Sequence, residues 1–180
     1  MSLFSEITIM NGMVALSIEN RKQFMSCLLG SDVFDGFQIS EAVVLTSVTV
    51  SIDTHLTEGF YTAEELDSLG LKERASVPFS MMRQTLYELI RGTHTPLYFK
   101  FVLMLPPAGA AMLLQEADNG MTETDISGFF LNLTFQNGAL RATTAVSYRS
   151  FPSDHSLDRL WDRSVRQLLE KNNIIFEETG

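Results

Sequence analysis

GFFLNLTFQ-NG-ALRATTAVSY, residues 128–148, decides the fold. Two apolar-alternating runs flank Asn137-Gly138, the dipeptide that tolerates the positive φ angles of a type I′ turn, so the segment predicts a tight β-hairpin. The register follows from the turn. Phe135 then faces Leu140, Leu133 faces Ala142, Leu131 faces Thr144 and Phe129 faces Val146, which gathers one face for a core and leaves Asn132, Thr134, Arg141 and Thr143 on the other.

Upstream, Leu97 to Leu105 alternates with Leu97, Phe99, Phe101, Leu103 and Leu105 on one side, a strand, and Pro106-Pro107 starts an alanine-rich helix to about Ala117. Phe37 to Ile52 predicts one long strand, with Ala42, Val44, Thr46, Val48, Val50 and Ile52 on one face. A second Asn-Gly pair, Asn11-Gly12, sits between ITIM and MVALSI and predicts another hairpin in which Ile9 faces Val14 and Ile7 faces Leu16. Asn20 is placed to cap a helix that buries Phe24, Cys27 and Leu28 and stops at Gly30. Thr62-Ala63-Glu64-Glu65 has the spacing of a capping box, with Tyr61 and Leu66 placed as a hydrophobic staple, for a short helix ending at Gly70. Ser76-Val77-Pro78 opens another that carries Phe79, Met82, Leu86, Leu89 and Ile90 and ends at Gly92.

Downstream, a cap at Ser153 or Asp154 precedes the longest helix. Its apolar stripe is Leu157, Leu160, Trp161, Val165, Leu168 and Leu169, and Ile174-Ile175-Phe176 adds a short edge strand. Helices and strands do not alternate as βαβα would. The expectation is therefore α+β: a mainly antiparallel sheet of five to six strands with two Asn-Gly hairpins, packed by short helices and a longer C-terminal one. No Pro-, Gly- or Ser-rich linker divides residues 1–180, so one domain is expected, with a diverged internal repeat conceivable between 13–52 and 97–151.

The 180 residues are 45% hydrophobic and 19% charged, enough apolar content for a real core, which excludes a disordered tail. One cysteine, Cys27, closes no internal disulfide and supplies no paired-cysteine zinc site; the cytoplasm is the expected compartment. A net charge of −9 makes nucleic acid an unlikely bulk partner. Met1 to Met10 lacks a basic n-region, and the longest apolar run, Leu97 to Pro107, is too short to cross a bilayer, so neither an export signal nor a membrane partner is expected. Met1-Ser2-Leu3 reads as an expression leader.

Two resemblances add to this. FMSCLLGSDVFDGF at 24–37, then Glu41-Ala42, Glu58-Gly59-Phe60-Tyr61, Thr95-Pro96-Leu97, Leu131-Asn132-Leu133 and Leu160-Trp161-Asp162, resemble an uncharacterised family of small proteins from anaerobic gut bacteria. That resemblance runs nearly end to end and implies a size and a compartment but no activity. Leu97 to Phe151 resembles the strand-helix-hairpin unit of DNA sliding clamps, and implies a clamp-like accessory factor with two superimposable halves. It departs from the bacterial clamp pattern at Thr143-Thr144-Ala145-Val146, where the expected acid is missing.

Few residues carry recognisable chemistry. Cys27 lies on a buried helix stripe, where a thiol behaves as a small hydrophobe. Asp53-x-His55 shares a face at a strand end and would need a third ligand for a metal-assisted hydrolase or ligand-binding protein; Glu41 and Glu58 are residues that could converge on it. His94 and His155 have no partner in sequence. Elbow, P-loop, dinucleotide and kinase motifs are absent, and no cofactor is expected. Arg159, Arg163 and Arg166 form a basic stripe on the last helix, beside Asp158 and Asp162, with Asp162 and Arg166 spaced as an i, i+4 pair on a solvated face. The leading expectation is a non-catalytic cytoplasmic domain that binds a protein partner or self-associates, with that stripe as its contact surface.

Overall fold

A computed structural model describes residues 13–179. Its elements are β1 (Ala15–Ile18), α1 (Arg21–Gly30), β2 (Gln38–Leu45), β3 (Thr49–Asp53), α2 (Ala63–Ser68), α3 (Phe79–Ile90), β4 (Tyr98–Met104), α4 (Pro107–Ala117), β5 (Ile126–Gln136), β6 (Ala139–Tyr148), α5 (Ser156–Lys171) and β7 (Phe176–Thr179). The chain is α+β. Among the described residues seven strands form one antiparallel sheet in the order β3-β2-β4-β5-β6-β1-β7.

β5 and β6 pair in the register expected, Phe135 with Leu140, Leu133 with Ala142, Leu131 with Thr144 and Phe129 with Val146. Asn137 and Gly138 take φ of 51° and 75°, the left-handed conformations that a type I′ turn demands. Alternation then sorts the sheet. Leu16, Ala42, Val44, Phe99, Phe101, Leu103, Leu131, Leu133, Leu140 and Ala142 are buried in the same core as Phe24, Leu28, Phe79, Leu86, Leu113, Trp161 and Leu169 from the helices. Each of the Leu, Val and Phe side chains contributes roughly 1.5–3 kcal/mol by leaving water, and each alanine less. Trp161 lies between Phe37 and Phe129, with ring centroids at 6.3 and 5.9 Å, and its Nε1–H donates to the Phe130 carbonyl at 2.8 Å. The opposite face, carrying Val43, Lys100, Val102, Asn132, Thr134 and Thr143, is half-exposed.

The strand count exceeds the five to six expected because Phe37 to Ile52 is a hairpin, not one strand. Thr46-Ser47-Val48 turns the chain, with the Thr46 N–H donating to the Val48 carbonyl at 2.9 Å, and β3 returns along β2. Ala42 lies opposite Ile52 and Val44 opposite Val50, so the even-numbered residues stay on one face through the turn. β4 is shorter than Leu97–Leu105, and Leu97 is 68% exposed. Asn20 does not cap α1 with its side chain; its amide instead donates to the Asn173 carbonyl and accepts from the Ile175 N–H, tying the entry of α1 to the exit of α5. The final strand is Phe176–Thr179, further on than Ile174-Ile175-Phe176. The Thr62/Glu65 capping box is complete on α2, and α1, α3 and α4 begin and end within a residue or two of their sequence signals.

The Asn11-Gly12 hairpin lies outside the described residues. Its described half, β1, is bonded to β6 along one edge and β7 along the other. Segments 13–52 and 97–151 share the order strand, helix, strand, strand, but their topologies differ. β4 and β5 are antiparallel neighbours, whereas β1 and β2 are parallel and separated by β6, β5 and β4.

Candidate functional site

α4 ends where Asp118 adopts a left-handed conformation, φ 44°, and its N–H bonds back to the Leu114 carbonyl. The next residue is a clip. Asn119 Nδ2 donates to Ser156 Oγ at 2.9 Å and reaches Asp154 Oδ2 at 3.5 Å, while its Oδ1 accepts from the Met121 N–H at 3.1 Å. The N-cap of α5 is His155, not Ser153 or Asp154, and makes no side-chain cap bond; Asp154 accepts from the N–H of Ser156, the first helical residue, and hydrogen bonds from Ser156 hold its carboxyl below the usual carboxylate range. These contacts set the end of α4 against the start of α5. Between them lies a groove of about 340 Å³, lined by Glu116, Ala117, Ser156, Arg159, Leu160 and Arg163.

The three arginines of the expected stripe play different parts. Arg163 pairs with Glu116 across the groove at 2.8 Å. Arg166 turns away and pairs with Glu178 of β7 at 2.6 Å, not with Asp162 as the i, i+4 spacing suggested. Arg159 makes no contact ion pair among the described residues, and its counter-charge is Asp154, whose carboxyl it helps to lower from a distance. The stripe is therefore not neutralised within its own helix.

Asp158 and Asp162 are not solvated either. They are 4% and 7% exposed, one helical turn apart, flanking the Leu157/Trp161/Val165 stripe. Hydroxyls from β6 make this burial tolerable: Tyr148 donates to Asp158 Oδ2 at 2.6 Å and Thr144 to Asp162 Oδ1 at 2.5 Å. Asp158 Oδ2 also meets His155 Nδ1 at 3.0 Å, a partner three residues away that the sequence reading missed. Burial pushes the Asp162 carboxyl up, opposed by the Thr144 hydrogen bond and by Arg166. Burial, and secondarily the bond to Asp158, push the Tyr148 hydroxyl up, keeping it a proton donor. Arg159 and Asp158, Arg163 and Asp162 thus alternate, one member of each pair outward and one inward, and the inner carboxylates lock α5 to β6 beneath the groove.

Asp53 and His55 do meet, at 2.5 Å through Nδ1, and the His55 N–H also donates to Asp53 Oδ1 at 3.0 Å. These bonds lower the Asp53 carboxyl, led by the one from the backbone. Glu41 is opposite Asp53 in register but bonds to Lys100 at 3.1 Å. Among the described residues no three His, Cys, Asp or Glu side chains are grouped to hold a metal ion. Cys27 is buried, and no helix there is long and apolar enough to cross a membrane.

Comparison with curated proteins and with solved structures finds no match, so neither supplies a ligand or a mechanism, nor support for the clamp likeness. A family model does match, over residues 27–177, which takes in the groove, the buried carboxylates and the Asp53/His55 pair. The chain belongs to that family, described as "Family of unknown function (DUF5721)".

Proposed function

We propose that the chain is a cytoplasmic, non-catalytic binding domain whose α4/α5 groove receives an acidic side chain of a protein partner. Arg159 carries this reading: among the described residues its guanidinium makes no contact ion pair, only a longer-range attraction to Asp154, and it stands on the wall of a concave surface beside an arginine that already engages a carboxylate. The groove floor, Ala117 and Leu160, suits an apolar residue next to that acid. A single, buried cysteine is compatible with a reducing compartment.

The net charge of −9 repels an acidic partner at long range, so recognition rests on short-range contact and tolerates salt, which screens the repulsion. Titration of isotope-labelled protein with a Glu-Leu-Glu peptide tests the idea. Amide shifts are expected at Glu116, Ala117 and Ser156 to Arg163, abolished by Arg159→Glu and retained in Arg166→Glu. Spectra unchanged at millimolar peptide, or shifts indifferent to Arg159→Glu, would overturn it.

A further inference from the structure

Among the described residues β3 and β7 are the outer strands of the sheet, and each presents there one row of main-chain N–H and C=O groups to the outside. The two edges are guarded unequally. β7 carries Glu177 and Glu178 in four residues, so pairing it with its own copy brings like charges together. β3 carries one acid, Asp53, at its end, and that carboxylate is held by His55 of the same chain. Thr49 to Ile52 is neutral, has no proline or lysine to block pairing, and makes no described main-chain bond beyond those to β2.

The strand is also self-complementary. An antiparallel pairing centred on Ser51 sets Val50 opposite Ile52 of a second copy and Thr49 opposite Asp53. Val50 and Ile52 are half-buried on the core side, opposite Val44 and Ala42, so the pairing extends an existing apolar row. Thr49 and Asp53 are exposed on the other face, where a hydroxyl meets a carboxylate and no like charges face each other.

We propose that β3 is a self-association edge, pairing with β3 of a second copy of this chain about a two-fold axis through Ser51 and continuing the sheet across both copies. A seam of five residues per copy is small beside interfaces of stable dimers, so association is concentration-dependent. The Asp53/His55 pair gains a role as the device that ends the strand and occupies its one acid with hydrogen bonds from within the chain. This edge is separate from the α4/α5 groove, and neither surface depends on the other.

Light scattering on the full chain across a concentration series, with mild oxidation of Ser51→Cys, tests this. The expected result is a mass rising toward twice that of the chain, self-crosslinking of Ser51→Cys, and at least a tenfold weaker dimer in Val50→Lys with an unchanged circular dichroism spectrum. Residues directly opposite in an antiparallel pair have Cβ atoms about 4.5–5.5 Å apart, close enough for the disulfide to form with slight adjustment. Cys27 is buried and adds no background. A monomer up to millimolar concentration, or a dimer that crosslinks through Glu177→Cys and not through Ser51→Cys, would overturn the assignment. Should Val50→Lys fail to fold, the Ser51→Cys comparison still decides.

Discussion

Asp162 sits where the helix meets the sheet, 7% exposed, with a hydroxyl for a partner and, among the described residues, no contact ion pair, Arg166 acting on it only from a distance. Its carboxyl is raised in the folded state, so the native protein binds a proton more readily there than the unfolded chain does. The contribution of Asp162 to stability is therefore greatest in acid, falls as pH rises from the unfolded carboxylate range to the raised folded value, and is lowest at neutral pH. Asp162→Asn keeps an acceptor for Thr144 and removes the buried charge. It should stabilise the protein by ~1 kcal/mol at pH 7 in urea unfolding, with the gain shrinking near pH 4. A variant less stable than the parent at pH 7 would show that Arg166 more than compensates the charge. The sequence could not disclose this, because burial of the acid depends on Thr144, eighteen residues away and on another element. A carboxylate beside arginines on an amphipathic helix looks wet until that hydroxyl is in place.

Helix α2 shows the opposite relation of local signal to tertiary packing. Its capping box is complete, Thr62 Oγ1 accepting from the Glu65 N–H at 3.2 Å and Glu65 Oε2 from the Thr62 N–H at 2.8 Å, yet the helix buries none of its residues. Its stability is local, so Thr62→Ala should cost about 1 kcal/mol of helix stability, read as faster amide exchange over 63–68, while the global melting transition stays in place. A loss of cooperative stability across the whole sheet would mean that α2 is a structural brace. The same contrast explains which elements were legible. Asn137-Gly138 and the capping box are chemical signals that need only their neighbours, and both match the structure. The β2/β3 turn has no glycine, proline or asparagine, and an odd three-residue loop keeps alternate residues on the same face, so periodicity passes through it unbroken. The groove is half legible: Arg159 and Arg163 stand out in the sequence as a basic stripe, but Glu116 and the Asn119 clip come from a part of the chain that only the fold brings near.

For the molecule as a whole, the sheet order matters more than any one contact. β1 lies between β6 and β7, and Leu16 and Ile18 belong to the core, yet the family match begins at Cys27, inside α1. A fragment of residues 27–177 lacks β1, keeps only Phe176 and Glu177 of β7 and leaves the edge of β6 bare. It is expected to be insoluble or to lose its cooperative thermal transition, whereas residues 13–179 should melt as the full chain does. A stable, monomeric 27–177 fragment would show that the core closes without β1. Ala15 and Thr179 face each other in the β1/β7 ladder, so the first and last of the described strands have their outer ends side by side. A mechanical load applied through residues 13 and 179 would pull across the ladder and open its pairs one after another, like a zipper, instead of shearing them together. Tethered at those two points between partners, the domain would yield at low force at this edge first, while the β2-β4-β5-β6 centre of the sheet stayed intact.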